Sequence, residues 1–422
     1  MPSLRVSPLV GCLLPLLVAA CGAAPFNGVE EDGASSDDGT SPAGAPFDDG
    51  ALPDAGRLSS ALLVSNAAGS AAARGQVESD TLRVSVIAAP RPVTTTDEQV
   101  HLVYELLLEN VSDVTQQPTQ LDIFGSGRRD PLASFEGDAL QAILLSSEAT
   151  GSLAPGGFAL IFLDLSFALN APLPQRLQHW IHREAEGSAV AVERGPNVPV
   201  VREQAVRVGA PLRGEDFVDV NGCCRPGAHT TALLPSADGD LFLSERYAID
   251  FLQEENGVSF TGDPSDNENY FIFGDDVLAV AGGRIVAVGD GVPDNDPTAE
   301  LPPFDVETAA GNHVVEELAD GRFALYAHLQ PGSIRVQPGQ RVRRGQVLGL
   351  VGNTGNSTEP HLHFQVMDGP TLLSNGLPYV FDRFELRGHV DVSGPEPVVV
   401  PTSGPQRRQN RLPLDLDILS FR

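Results

Sequence analysis

The sequence predicts a mainly β protein built as two successive antiparallel units. Three observations point that way. Glycine and proline are abundant, 43 and 34 residues, and aromatic side chains make up only 6% of the 422 residues; this composition suits short strands and tight turns better than long helices. Short aliphatic runs separated by turn residues recur through residues 76–205. Farther along, paired apolar runs flank glycine-rich turns.

The chain begins MPSLRVSPLVGCLLPLLVAACGAAP, with one basic residue, Arg5, before an apolar run that ends in small residues. This is the pattern of a secretory signal, too short and wrongly flanked to span a membrane as a helix. Its end, VAAC, resembles a bacterial lipobox, which implies removal of residues 1–20 and lipidation of Cys21. The stretch GAAPFNGVEEDGASSDDGTSPAGAPFDDGALPDAG is acidic, has no base and almost no large apolar residue. It cannot bury enough surface to fold, so residues 21–75 read as a disordered tether between a lipid anchor and the folded units.

Residues 76–205 contain TLRVSVIAAP, QVHLVYELLLENVS, PTQLDIFGSG, ALQAILLSS and FALIFLDLSF. Their spacing predicts an immunoglobulin-like β-sandwich. HLVYELLLEN alternates well enough to bury one face. His101, His179 and His182 are scattered here and are expected at the surface or rim; no catalytic constellation is visible.

Residues 206–392 read as the second unit. DDVLAVAGGRIVAVGDG suggests two strands about a Gly-Gly turn, and VQPGQRVRRGQVLGLVGNTG repeats the style, as two lipoyl-like hairpins. A lipoyl or biotinyl carrier needs a lysine at a hairpin tip, and all 27 basic residues are arginine. The tail, 393–422, is proline-rich and then apolar in LPLDLDILSF, a final strand that docks on one unit or the other. Against 56 acids the net charge is −29. No basic stripe is present, which argues against a nucleic-acid partner; the charge favours solubility. Cys223 and Cys224 are adjacent, with Cα atoms closer than the usual disulfide span. They form a strained ring, stay free thiols, or join His229 in a metal site that no second cysteine pair supports.

Five of the nine histidines fall between residues 229 and 363. In a strand, HLH places His361 and His363 on one face. A core strand has little use for two neighbouring imidazoles, because both need polar partners; a metal or acid–base pair does. His328 sits in YAHL. His313 and His389 match no motif.

The run GNHVVEELADGRFALYAHLQPGSIRVQPGQRVRRGQVLGLVGNTGNSTEPHLHFQV (311–366) resembles the lysostaphin-type (LytM-like) zinc metallopeptidases, which cleave peptide cross-links of bacterial peptidoglycan. The resemblance extends back to RYAIDF and covers about 222–390. It implies a lysostaphin-type antiparallel β peptidase domain, Zn2+ as cofactor and peptidoglycan as substrate. It also implies roles: His363 and Asp250 match zinc ligands, and His361 and His328 match the two catalytic histidines. The family's first zinc ligand is a histidine four residues before the aspartate. Here that position is Arg246, which stays protonated and cannot ligate.

The chain before RYAIDF suggests a replacement. TALL and LFL flank the turn PSADGD and read as a hairpin. With Leu234 opposite Leu241, paired numbers sum to 475 and His229 faces Arg246. His229 is then expected to supply the missing imidazole from a neighbouring strand, and Arg246 to hold a carboxylate, the substrate's terminal carboxylate included. A slip of one residue would reverse the face.

The expected function is a zinc-dependent peptidoglycan endopeptidase working by metal-activated water, exported and lipid-anchored in the bacterial cell envelope. The alternatives are a catalytically inactive relative that binds peptidoglycan or regulates a wall hydrolase, and an anchored scaffold that binds partners through the sandwich.

Overall fold

The computed structural model describes residues 75–422, apart from 147, 149, 186, 187, 238, 256, 302, 395 and 396. The signal segment, Cys21 and the acidic tether lie outside the described residues. The rest is mainly β and mostly antiparallel, as its composition predicts.

The first unit has two sheets. One runs Gln76–Glu78, Leu82–Val86, Gln99–Asn110, Phe158–Ala168, Leu144–Ser146, with Arg91–Thr94 also paired to Gln99–Asn110; the other runs Ala191–Pro199, Arg176–Ala185, Gln116–Gly125, Ala133–Glu136. Leu102, Tyr104 and Leu106 of the first sheet share one core with Leu121, Ile123 and Ile181 of the second.

Strand Gln99–Asn110 is buried on both faces rather than one. Leu102, Tyr104, Leu106 and Leu108 face the sandwich core. The alternate residues Val103 and Leu107 join clusters shared with the second unit, and Glu105 between them is fully buried. Two histidines are likewise inside and not at the rim. The Nδ1–H of His179 donates to the Pro196 carbonyl at 2.8 Å and its Nε2 accepts from Tyr104 at 2.9 Å. Burial pushes its pKa down to about 4, so it is neutral at pH 7. His101 is buried between Asp164, 2.8 Å from Nδ1, and Asp97, 3.2 Å from Nε2.

The second unit is organised on a ten-stranded sheet. Its order is Arg341–Val342, Gly283–Gly289, His313–Glu317, Phe323–Ala327, Leu362–Met367, Ile249–Gln253, Gly214–Val220, Asp417–Phe421, Phe384–Asp391, Val398–Arg408. The last strand of the chain is thus inserted in this sheet, while Leu412 bridges Thr95 of the sandwich, so the tail docks on both units. The two expected hairpins do not close on themselves. Asp276–Leu278 pairs with Val347–Leu350, and Gly283–Gly289 with His313–Glu317 and Arg341–Val342. Apolar runs specify burial, not partners, and the two segments exchange strands. Cys223 and Cys224 form a disulfide.

The units are joined by a buried ion pair. Arg246, in the turn that precedes strand Ile249–Gln253, donates through Nε and Nη2 to the two carboxylate oxygens of Glu105, each at 2.6 Å. Side-chain exposure is 2% for the arginine and 0% for the glutamate. Arg246 Nη1 adds the Gly376 carbonyl at 3.2 Å. A Cβ on Gly376 would lie 2.5 Å from the Ser244 carbonyl oxygen, so only glycine lets the turn approach this closely. Tyr247 donates to the Val103 carbonyl at 3.3 Å, and Leu233, Leu241 and Leu243 pack on Ile87, Leu107 and Phe162 of the sandwich.

Truncating one partner strands a charge in the interface. Glu105→Ala is expected to destabilise the protein by about 3–5 kcal/mol in guanidinium unfolding, whereas Glu105→Leu combined with Arg246→Met loses much less. A single-variant loss below about 1 kcal/mol would show that the pair is not desolvated in solution.

Candidate metal centre and cleft

Asp250 and His363 are placed by register: strands Ile249–Gln253 and Leu362–Met367 pair antiparallel with these two residues directly opposite. His363 Nδ1 lies 2.8 Å from Asp250 Oδ1. Alternation puts His361 on the same face, with Nε2 3.4 Å from Asp250 Oδ1. His328 follows the end of strand Phe323–Ala327 in a left-handed conformation, φ 63°. Its ring stands 4.7 Å from that of His361 and 5.6 Å from that of His363, centroid to centroid. The structure therefore brings His328, His361, His363 and Asp250 to one place.

His229 reaches it as well, by a route the sequence did not indicate. The hairpin pairs Leu234 with Phe242, one residue off the expected register, and His229 lies not on a strand but in the helical turn Ala228–Thr231. The turn, not cross-strand pairing with Arg246, carries its ring inward. His229 Nε2 sits 3.1 Å from Asp250 Oδ2, and its ring meets His363 edge-on at 4.9 Å. Donor atoms of His229, Asp250 and His363 all lie within 4.8 Å of one another. Arg246 is absent from this group and holds Glu105, not a substrate carboxylate.

Each imidazole is fixed through its second nitrogen. His229 Nδ1 donates to the Asn221 carbonyl at 2.9 Å. His363 Nε2 donates to Gln365 Oε1 at 2.7 Å, His328 Nδ1 to the Thr354 carbonyl at 2.7 Å, and His361 Nδ1 to the Glu359 carbonyl at 2.8 Å. Asn221 also donates from its side chain to Asp250 Oδ2 at 2.9 Å. The Thr354 carbonyl is positioned by a close backbone crossing: a Cβ on Gly311, φ 53°, would lie 2.4 Å from that oxygen. This leaves Nε2 of His229, Nδ1 of His363 and one carboxylate of Asp250 as donors. Two nitrogens and an oxygen, with the far side of each imidazole hydrogen-bonded, suit a borderline divalent ion such as zinc. Asn221 and Gln365 were missed in the sequence. Gln365 was readable as the next same-face residue after His361 and His363; Asn221 carried no signal.

The electrostatics agree with that division. Burial works to raise the Asp250 carboxyl, but His229 and His361 beside it hold it well below the usual range. Burial works to lower His229 and His363, and the Asp250 charge outweighs it and raises both. His328 is pulled well below the ordinary imidazole value by burial and the nearby His361 and His363. His328 is therefore neutral, and it lines the cleft.

Residues 270–374 match Peptidase family M23. His328, His361 and His363 fall inside this range; Asp250 and His229 precede it. The chain carries an M23 peptidase domain, of the LytM/lysostaphin type, in its C-terminal part. Among its relatives, it is 34% identical over 123 residues to the cell division protein DipM of Caulobacter vibrioides, covering 29% of this chain and 17% of DipM. It is 47% identical over 58 residues to the peptidoglycan DD-endopeptidase ShyA of Vibrio cholerae, covering 14% of this chain and 13% of ShyA. The match thus spans less than a fifth of either relative's length. Among solved structures, the catalytic domain of lysostaphin from Staphylococcus simulans aligns at 27% identity over 32% of this chain and 71% of that one, TM-score 0.20. The catalytic domain of EnpA from Enterococcus faecalis aligns at 22% identity over 42% and 93%, TM-score 0.24. Scores this low leave the fold to be read from the strands of this chain.

Gln365→Ala frees the His363 tautomer and is expected to weaken divalent-metal binding by about 10–100-fold. Competition with a chromophoric chelator measures it; an unchanged affinity would mean that the Gln365 hydrogen bond does not prepare His363.

Proposed function

We propose that this protein is a zinc-dependent peptidoglycan endopeptidase. The observation that carries the reading is the approach of His229 to Asp250 and His363, with His328 and His361 bordering the same cleft. His229, Asp250 and His363 would hold the zinc. When bound, zinc lowers the pKa of water and polarises a peptide carbonyl. The chain's own groups do the rest. His328, neutral and with Nε2 free, accepts a proton from a water in the cleft. His361, its Nδ1–H held by Glu359, is oriented to pass a proton toward the departing amine. The walls exclude bulk water around them and strengthen each interaction.

The relatives' descriptions support this substrate class: ShyA is a peptidoglycan DD-endopeptidase, and a further relative, Mpg of Neisseria meningitidis, is a DD-carboxypeptidase/endopeptidase, 49% identical over 55 residues that cover 13% of this chain and 12% of Mpg. The inactive alternative rests on Arg246; the third donor beside Asp250 is the observation that favours the hydrolase over it. The N-terminal unit we read as an immunoglobulin-like sandwich. Without the short first and third strands, letters in chain order give A-B-E-D against G-F-C with an added C′, the order that such sandwiches use. Export and an envelope location follow from the signal pattern, with Cys21 as the lipid anchor and residues 21–75 as its tether.

Two experiments test this reading. His361→Ala and His328→Ala should abolish turbidity clearing of purified sacculi while keeping bound zinc, and His363→Ala and Asp250→Ala should lose zinc too; a zinc-loaded protein that clears no sacculi would favour the binding-protein alternative. Separately, Cys21→Ala should move the protein from the detergent phase to the aqueous phase, and equal partitioning of both forms would refute the anchor.

A further inference from the structure

The sandwich face that packs on the second unit carries a polar group outside the cleft. His101 of strand Gln99–Asn110 and Asp164 of strand Phe158–Ala168 are diagonal neighbours there, since Asp164 lies opposite Val103. His101 Nδ1 is 2.8 Å from both carboxylate oxygens of Asp164. Its Nε2 is 3.2 Å from Asp97 Oδ2. Asp97 is itself fixed, accepting from the Thr95 hydroxyl at 2.5 Å and from the Gln99 backbone N–H at 3.0 Å. The second unit contributes Cys224, buried in the cluster that Val103 joins. Donor atoms of His101, Asp164 and Cys224 all lie within 4.8 Å of one another. His229 belongs to the other group, with Asp250 and His363.

An imidazole nitrogen, a carboxylate and a sulfur are ligands that zinc accepts, and a ligating histidine characteristically donates its other N–H to a carboxylate, as His101 does to Asp97. A cavity of about 90 Å³ adjoins, lined in part by Asp164, Cys224, Arg225 and Thr230, with room for a water as fourth ligand. The Arg225 charge in its wall is neutralised by Asp415. In the disulfide the Cys224 sulfur is committed to Cys223, and only a thiolate ligates. We infer that reduction of this disulfide by a dithiol lets Cys224 complete, with His101 and Asp164, a zinc-type metal site at the seam between the two units. The dithiol closes into its own disulfide, and its two protons and two electrons leave Cys223 and Cys224 as thiols. The Cys224 thiol then releases its proton to water, and its sulfur shares an electron pair with the metal over a bond of about 2.3 Å. The bound ion ties the sandwich strands to the segment that carries Asn221, whose carbonyl holds His229. The inference does not depend on the hydrolase reading.

The test titrates the full chain with cobalt(II), whose thiolate complexes show a charge-transfer band in the near ultraviolet. Wild type is compared before and after reduction by a dithiol that is then removed without air. Beside it stand Cys223→Ser and Cys224→Ser, which lose the disulfide equally and differ only in the sulfur that remains. Reduced wild type, and Cys223→Ser with no reductant, should bind one cobalt ion more per chain than the oxidised protein, show the band, and unfold at a higher temperature with cobalt present. Cys224→Ser should show none of the three, and His101→Gln should weaken the added site by at least about tenfold. Reduced protein without the band, or oxidised protein that takes up as much cobalt, overturns the inference. A band that survives Cys224→Ser, or that His229→Ala abolishes, gives the sulfur other partners and overturns it too. A band with no rise in unfolding temperature reports thiols of unfolded chain and has the same consequence.

Discussion

Arg246 and Glu105 meet through two parallel hydrogen bonds of 2.6 Å in a place almost closed to water. Taking both charges out of water is costly, and the geometry offsets that cost only because the fork of the guanidinium matches the carboxylate and a third nitrogen finds the Gly376 carbonyl. The rest of the site depends on it. The pair pulls the turn before Asp250 against the sandwich and turns position 246 away from the candidate metal site. The leucines at 233, 241 and 243 pack on the same sandwich strands and hold down the intervening segment. The helical turn Ala228–Thr231 lies just before this segment and carries His229 beside Asp250. The sandwich therefore works as a wall of the peptidase unit.

Charge distribution carries the same logic. The chain is strongly acidic, yet the candidate metal site holds a single carboxylate surrounded by imidazoles, and that carboxylate stays ionised because they surround it. His328 is kept neutral by its burial and by the neighbouring His361 and His363. The Asn221 carbonyl and side chain tie His229 to Asp250, and the disulfide between the adjacent Cys223 and Cys224 lies two residues farther along the same segment.

Much of this was legible in the sequence for local reasons. HLH announces two imidazoles on one strand face, and the alternation of Leu102, Tyr104, Leu106 and Leu108 announces a core strand. Other features leave no local trace. Glu105 and Arg246 are 141 positions apart, and no periodicity connects them. The other face of Gln99–Asn110 is buried by a unit that the strand's own pattern cannot name. Paired apolar runs in 276–289 and 336–351 signal burial, but partner choice depends on three-dimensional packing, so the strands exchange. His229 was found by a register that is wrong by one residue and an element type that is wrong altogether. What the sequence held was a shortage of one imidazole near Asp250; the fold decided how it was met.

The most direct test of this account is the zinc affinity of His229→Ala against the wild type, at matched unfolding midpoints. The account predicts a loss greater than the about 100-fold typical of outer hydrogen-bonding partners, with the fold intact, because a ligand is removed. Wild-type zinc affinity in the variant would contradict it, and would return the site to two protein ligands and the chain to a binding role.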